Sequence, residues 1–375
     1  AGTQWIGAVV RGQDSGLDGY VGIYFWDNGS PEVMLFLRDN GGWEQLGAYG
    51  TSPLPGGSQL ELTAIGDTIS LALNGTQVIG ISDGTLTGGA PGIMANGTAQ
   101  AAGWAGGNAS FTITHESTDS SGIAYYNILS ANDGHGPQTL RVLQPTDPAP
   151  GVAHNFLIVL PVEAGLGDTY GDGLETMQSL NAQNQYNLTI VEPTFYIPPW
   201  YANNPNDPNL QYETFLTQEL APWMKKNLST TGNEQVWLIG FSKSGVGGQD
   251  LILKHPNVFT LAASWDFPAD ISSYNEYSDS AASYGTEANF QANYQLTPSF
   301  VKNYAAPFTT ANRIWIGGYG LYPTDVSDYD ALLTSEAVRH TLGPSQDLAH
   351  TWDSGWVPAA LASLATDSRN LSSGS

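Results

Sequence analysis

A serine flanked by small residues follows an apolar run in Gln235-Val236-Trp237-Leu238-Ile239-Gly240-Phe241-Ser242-Lys243-Ser244-Gly245-Val246-Gly247-Gly248. A strand that breaks into a helix through a small-x-Ser-x-small turn needs those flanks, because the apex bends sharply against its neighbours and lifts the serine Oγ above the sheet. Centring the frame on Ser242 places Gly240 and Ser244 at the flanks; centring it on Ser244 places β-branched Val246 at one of them. Ser242 is therefore the expected nucleophile. The helix N-terminus that follows would favour a developing oxyanion, with the Lys243 backbone N–H as one donor.

A serine hydroxyl needs a base that titrates near neutrality, and the base needs a carboxylate to hold its tautomer. Six histidines are available. His115 and His135 come too early for the order Ser, Asp, His, His154 precedes the apolar run Phe156-Leu157-Ile158-Val159-Leu160, and His255 sits at the end of the helix after the elbow. His340, in a stretch that reads as helix from Ser335, ranks behind His350. Chain order places the acid between 242 and 350. Asp266, Asp325, Asp328 and Asp330 all satisfy it.

These groups need a scaffold. Ala124 to Leu129, Thr139 to Leu143, Phe156 to Leu160 and Asn187 to Val191 read as strands, followed by a helix whose apolar face is 212, 215, 216, 220, 223 and 224. Strand Gln235 to Ile239, the elbow helix, strand Thr260 to Ser264, a helical stretch around 286–304 and strand Arg313 to Ile316 continue the alternation. Strands alternating with helices predict a mostly parallel sheet covered on both faces. Residues 1–112 have a different grammar. Thr68 to Leu73 and Thr76 to Ile81 alternate around Asn74-Gly75, and Val33 to Arg38 is joined to Trp43 to Gly47 across Asn40-Gly41-Gly42. Both are hairpin signatures, and with Gly19 to Trp26 and Leu60 to Ile65 they predict an all-β antiparallel sandwich. The polar stretch 113–122 reads as a linker, leaving 123–375 for the α/β domain.

The second domain resembles the putative-esterase branch of the α/β-hydrolases, which includes S-formylglutathione hydrolases, feruloyl esterases and mycolyltransferases. The likeness rests on Tyr212-Glu213-Thr214-Phe215-Leu216-Thr217-Gln218-Glu219-Leu220, on Gly240 to Gly245 running through Leu253-Lys254-His255-Pro256, and on His350-Thr351-Trp352-Asp353-Ser354-Gly355-Trp356. It implies a serine esterase without a cofactor, with His350 as the base and the acid in the loop after Arg313 to Ile316, where Asp325 is favoured ahead of Asp328 and Asp330. The family often shows His-Gly-Gly after its central strand. This chain has Pro161-Val162-Glu163-Ala164-Gly165-Leu166-Gly167 instead, so the second oxyanion donor is expected at the Val162 or Glu163 N–H. Trp200, Tyr201, Trp265 and Trp352 follow strand ends, where open α/β sheets bind ligands, and are candidates for a substrate wall or for loop packing. The first domain resembles concanavalin-like, laminin-G-like modules in Gln4 to Arg11, Gly19 to Tyr24 and Gly88 to Ile93. Such modules have strands upstream of the first of these, so the resemblance implies an N-terminally truncated sandwich.

With 375 residues, two domains are expected, and 41% hydrophobic residues exclude disorder. A formal charge of −24 argues against nucleic acid and anionic membrane as partners, and the absence of cysteine excludes disulfides, thiolate metal sites and cysteine catalysis. Asp14, Asp18 and Asp27 lack calcium-loop spacing, so no metal is expected. Low lysine content, strong acidity and Asn-x-Ser/Thr sequons such as those at Asn28, Asn74 and Asn187 suit a secreted protein. The expected activity is a secreted serine carboxylic-ester hydrolase, on an ester that is polymeric or attached to a polysaccharide. An acyltransferase of the same branch and a non-catalytic polysaccharide-binding protein are the alternatives.

Overall fold

In the computed structural model, which describes residues 4–13, 18–26, 30–65, 68–86, 89–104, 111–133, 135–318, 320–344 and 346–373, the hydrophobic alternation of the N-terminal part becomes strands. They are β1 (Gln4–Gln13), β2 (Asp18–Trp26), β3 (Glu32–Asp39), β4 (Gly42–Gly50), β5 (Leu60–Ile65), β6 (Thr68–Leu73), β7 (Thr76–Ser82) and β8 (Ala90–Asn96). Asn74 and Gly75 take φ of 51° and 81° between β6 and β7, and Asn40 and Gly41 take 50° and 77° between β3 and β4. Two consecutive positive φ values are what a two-residue type I′ turn demands, and Asn and Gly adopt them at least cost. Every pairing in the sheets β4-β3-β2-β1-β8 and β5-β6-β7 is antiparallel. Tyr20, Val33, Leu35 and Leu37 of the first sheet share a core with Leu62, Ile69, Leu71 and Ile79 of the second. This makes the unit a two-sheet sandwich.

The chain divides into the units Ala1–Thr112 with Leu129–Pro137, and Ile113–Ile128 with Gln138–Ser375. The stretch 113–122, expected as a linker, is not one. It forms β9 (Thr112–Thr118), at the edge of the sheet of the second unit, and a turn in which the Asp119 carboxylate accepts from the N–H groups of Ser121 and Ile123. An edge strand exposed on both faces needs no apolar row, so polar composition hid it.

The sheet continues with β10 (Ile123–Leu129), β11 (Gln138–Leu143), β12 (Asn155–Val159), β13 (Leu188–Pro193), β14 (Val236–Phe241), β15 (Leu261–Trp265), β16 (Ile314–Gly317) and β17 (His340–Leu342). Its order is β17-β16-β15-β14-β12-β13-β11-β10-β9, parallel from β17 to β13 and antiparallel from β13 through β11 to β10. The residues of β12, β14, β15 and β16 are all buried, as continuous apolar strands of a sheet covered on both faces must be. The helices are α1 (Gly173–Ser179), α2 (Ala182–Gln185), α3 (Tyr212–Thr214), α4 (Ala221–Asn227), α5 (Ser242–Lys254), α6 (Ser280–Tyr284), α7 (Glu287–Asn293), α8 (Pro298–Tyr304), α9 (Pro323–Ser335) and α10 (Val357–Ser373). The helix expected over 212–224 is α3 and α4 joined by a π-helical turn, Phe215–Leu220. Pro222 explains it: proline has no N–H and crowds the preceding carbonyls, and the wider turn accommodates it. This is an α/β-hydrolase architecture, with a β-sheet unit before it.

Candidate active site

Phe241 ends β14 in extended backbone, and Ser242 enters α5 at φ +54°. A non-glycine residue is held in the left-handed region only where surrounding contacts over-determine it. Two such contacts are specific. The Ser242 N–H donates to the Asp266 carbonyl at 3.1 Å. The fully buried Ser244 donates its hydroxyl to the Phe241 carbonyl at 2.7 Å and accepts the Phe241 N–H at 3.1 Å. Ser244 is thus a brace within the turn, and Ser242, which remains partly exposed, is the apex. A Cβ on Gly240 would stand 2.8 Å from Ser244 Oγ, so this flank admits no side chain.

The partner of His350 is not Asp325. The His350 Nδ1 lies 2.6 Å from Oδ2 of Asp266, the residue directly after β15. Asp266 is fully buried and also accepts the N–H groups of Leu321 and Tyr322, each at 2.8 Å. Burial pushes its carboxyl up, but the His350 ring N–H and the two amides outweigh burial, and it stays below the usual carboxylate range. The loop after β16, expected to supply the acid, supplies these two amides instead. It can close on the carboxylate because Gly320 has no side chain: a Cβ there would be 2.5 Å from Asp266 Oδ2. Asp325 lies in the first turn of α9 and accepts the Asp270 N–H at 3.3 Å. Asp328 is exposed on the same helix, and Asp330 accepts from His340 Nε2 at 2.8 Å. His340 itself is in β17, not in a helix, because α9 ends at Ser335. With Nδ1–H donated to a carboxylate, the His350 proton acceptor is Nε2. Its ring packs on Phe241 at 5.0 Å between centroids, one residue before the apex, and is flanked by Tyr170 and Tyr322, each at 5.8 Å.

Lys243 lies in the first turn of α5, whose amides lack intrahelical acceptors. Val162 and Glu163 follow β12, the neighbour of β14, and no described residue accepts their N–H groups. The Tyr201 hydroxyl donates to the Pro161 carbonyl at 2.5 Å and so fixes the peptide entering this loop. At the far end Asp172 caps α1 and accepts from Arg141 at 2.6 Å.

Of the two readings open for the aromatic residues, substrate wall or loop packing, their burial fits loop packing. Trp200, Tyr201, Trp265 and Trp352 are each at most 2% exposed, and they support the site from within. Trp265 and Trp356 stack at 5.5 Å and 6°, Trp352 lies 5.7 Å from Trp356, and Phe241 rests edge-on against Trp352 at 5.1 Å. A tryptophan's type signals large buried area, not which way it faces. Among the described residues, the exposed large apolar side chains of the surrounding loops include Leu166, Tyr170, Tyr196 and Leu321. Among the described residues, no cluster of three or more His, Asp or Glu could hold a metal. Asp18 accepts the N–H groups of Asn40 and Gly41, both at 3.1 Å, and Asp14 and Asp27 lie outside the described residues.

The family model described as "Putative esterase" matches residues 194–318, the segment holding the elbow and Asp266. No curated protein matches the chain by sequence. Among solved structures, an S-formylglutathione hydrolase from Agrobacterium tumefaciens superposes with a TM-score of 0.53 at 14% identity, over 68% of this chain and 99% of that one. A ferulic acid esterase superposes with a TM-score of 0.51 at 16% identity, over 66% and 98% of the two chains. At these identities the likeness is one of fold, and the fold it shares is that of the α/β-hydrolases.

Proposed function

We propose that the chain is a serine carboxylic-ester hydrolase working through an acyl-enzyme, with Ser242 as nucleophile, His350 as base and Asp266, in place of Asp325, as the acid. The supporting observation is the 2.6 Å bond from His350 to a buried carboxylate beside a serine held at φ +54°. Ser242 Oγ attacks the ester carbonyl as its proton passes to His350 Nε2. The tetrahedral oxyanion is met by the Lys243 N–H and by that of Val162 or Glu163. His350 then protonates the departing alcohol, and water repeats the sequence on the acyl group. Asp266, ionised and held by two amides, keeps Nδ1 protonated throughout. The proposal extends to a secreted setting and to a polymeric or wall-attached ester. The acidic composition supports the first, and the exposed Trp26, Trp43, Tyr49 and Trp104 of the sandwich support the second.

The test is hydrolysis of 4-nitrophenyl esters with fluorophosphonate labelling. Ser242→Ala should abolish labelling and lose about 10⁴-fold or more in kcat. Asp266→Asn should lose about 10⁴-fold, since an amide holds the wrong tautomer, while Asp325→Asn stays within a few-fold. The reverse order for the two aspartates would overturn the assignment.

A further inference from the structure

The loops at the C-terminal ends of the parallel strands, 160–172, 194–211, 266–279, 318–322 and 343–356, contain no lysine or arginine. They do contain many acids, among them Asp168, Asp270, Glu276 and Asp353. Arg141 of β11 reaches this end but is buried between Asp172 and Glu192, and the basic side chain next to the apex serine is Lys243. Its ammonium is ion-paired with Asp279, the residue before α6, and lies over the Trp200 ring at 5.7 Å. The other Asp279 oxygen accepts Trp200 Nε1–H at 3.0 Å, so one carboxylate neutralises the cation and fixes the indole beneath it. The pair is only partly shielded, with side chains 19% and 26% exposed, so a substrate's charge would be felt there.

We propose that Asp279 is a specificity residue: by cancelling Lys243 it leaves the mouth of the site net acidic, selecting uncharged or cationic esters against those that carry a carboxylate or phosphate. An unpaired ammonium beside the nucleophile would be an anchor for an anionic substrate, and Asp279 occupies that anchor. This rests on the esterase reading of the same site and adds the charge class of its substrate.

The experiment measures kcat/KM at low salt for three activated esters of matched size: 4-nitrophenyl butyrate, mono-4-nitrophenyl succinate and a 4-nitrophenyl ester bearing a quaternary ammonium. The intact chain should disfavour the succinate by tenfold or more, and 0.5 M salt should narrow the gap. Asp279→Asn keeps an acceptor for Trp200 and should shift the succinate-to-butyrate ratio upward by about 3- to 30-fold, the range for a unit charge a side chain's length away in a medium between protein surface and water. Lys243→Met should move the ratio the opposite way, which keeps the test decisive if Asp279→Asn folds poorly. Equal rates on all three esters, or ratios that neither variant moves, would overturn the proposal while leaving the esterase reading intact. No turnover of any ester and no labelling of Ser242 would sink that reading instead.

Discussion

Asp250, on the core face of α5 two turns beyond the apex serine, is a carboxyl without a partner. It is 2% exposed, and among the described residues neither of its oxygens has a hydrogen-bond donor. The groups around it do not neutralise it. Lys254, on the same helix, is held by Glu213 at 2.6 Å, and Tyr294 also donates to Glu213, at 2.7 Å. Tyr329 donates to Gln249, and the buried Tyr284 hydroxyl has no hydrogen-bond partner among the described residues. Burial pushes the Asp250 carboxyl well above its usual range, with Lys254 opposing and Glu213 adding to the shift. In the unfolded chain this proton leaves near pH ~3.9; in the folded chain it stays on to higher pH. The unfolded state therefore binds fewer protons over that interval, and stability falls as pH rises, by about 1.4 kcal/mol per pH unit for one proton. Asp250→Asn removes the ionisation and keeps the shape. The variant's stability relative to the native chain should climb as the pH rises from 5 towards 7, by at most about 1.4 kcal/mol per pH unit. Guanidinium unfolding at both pH values, followed by tryptophan near-ultraviolet dichroism, measures this difference, and every group common to both proteins cancels. Parallel pH profiles would show that Asp250 ionises at its ordinary pKa or is paired in solution, and would refute the reasoning.

Two further outcomes follow from the brace and from the edge strand. Ser244→Gly removes the hydroxyl that spans the Phe241 N–H and carbonyl, so thermal unfolding should register a loss of about 1–2 kcal/mol. Hydrolysis should fall only a few-fold, because the nucleophile is unchanged. Glutamyl endopeptidase should fail to cut the native chain after Glu116, since β9 is paired in the sheet; rapid cleavage there would restore the linker reading of 113–122.

The elbow was legible because everything that makes it is local: an apolar strand, an apex serine and small flanks lie within a few residues of Ser242. The hairpins at Asn40-Gly41 and Asn74-Gly75 were legible for the same reason. The carboxylate that pairs with His350 was not, because chain order admits every carboxylate between the serine and the histidine, and the pairing is made by three-dimensional closure. Asp266 ends a buried strand and is enclosed by amides from a loop more than fifty residues later in the chain, contacts that no spacing encodes. A signal was present in Ala262-Ala263-Ser264-Trp265-Asp266, an apolar strand ending abruptly in a carboxylate. For the aromatic residues, the choice between substrate wall and loop packing was not legible either, for a related reason. Trp200, Trp265 and Trp352 follow strand ends, but their rings are buried in the protein, and residue type alone does not give direction.

Beneath the imidazole of His350 the indoles of Trp265, Trp315, Trp352 and Trp356 form a continuous array, with Trp315 and Trp356 6.4 Å apart and inclined by 15°. Rings at that spacing absorb as coupled chromophores, and their circular dichroism depends on mutual orientation as much as on number. The Trp265 ring lies 6.4 Å from the imidazole itself. Part of the near-ultraviolet dichroism of the folded chain and the setting of the His350 ring therefore originate in the same few ångströms, and a disturbance of the floor under His350 changes that part of the optical signature before any substrate is added.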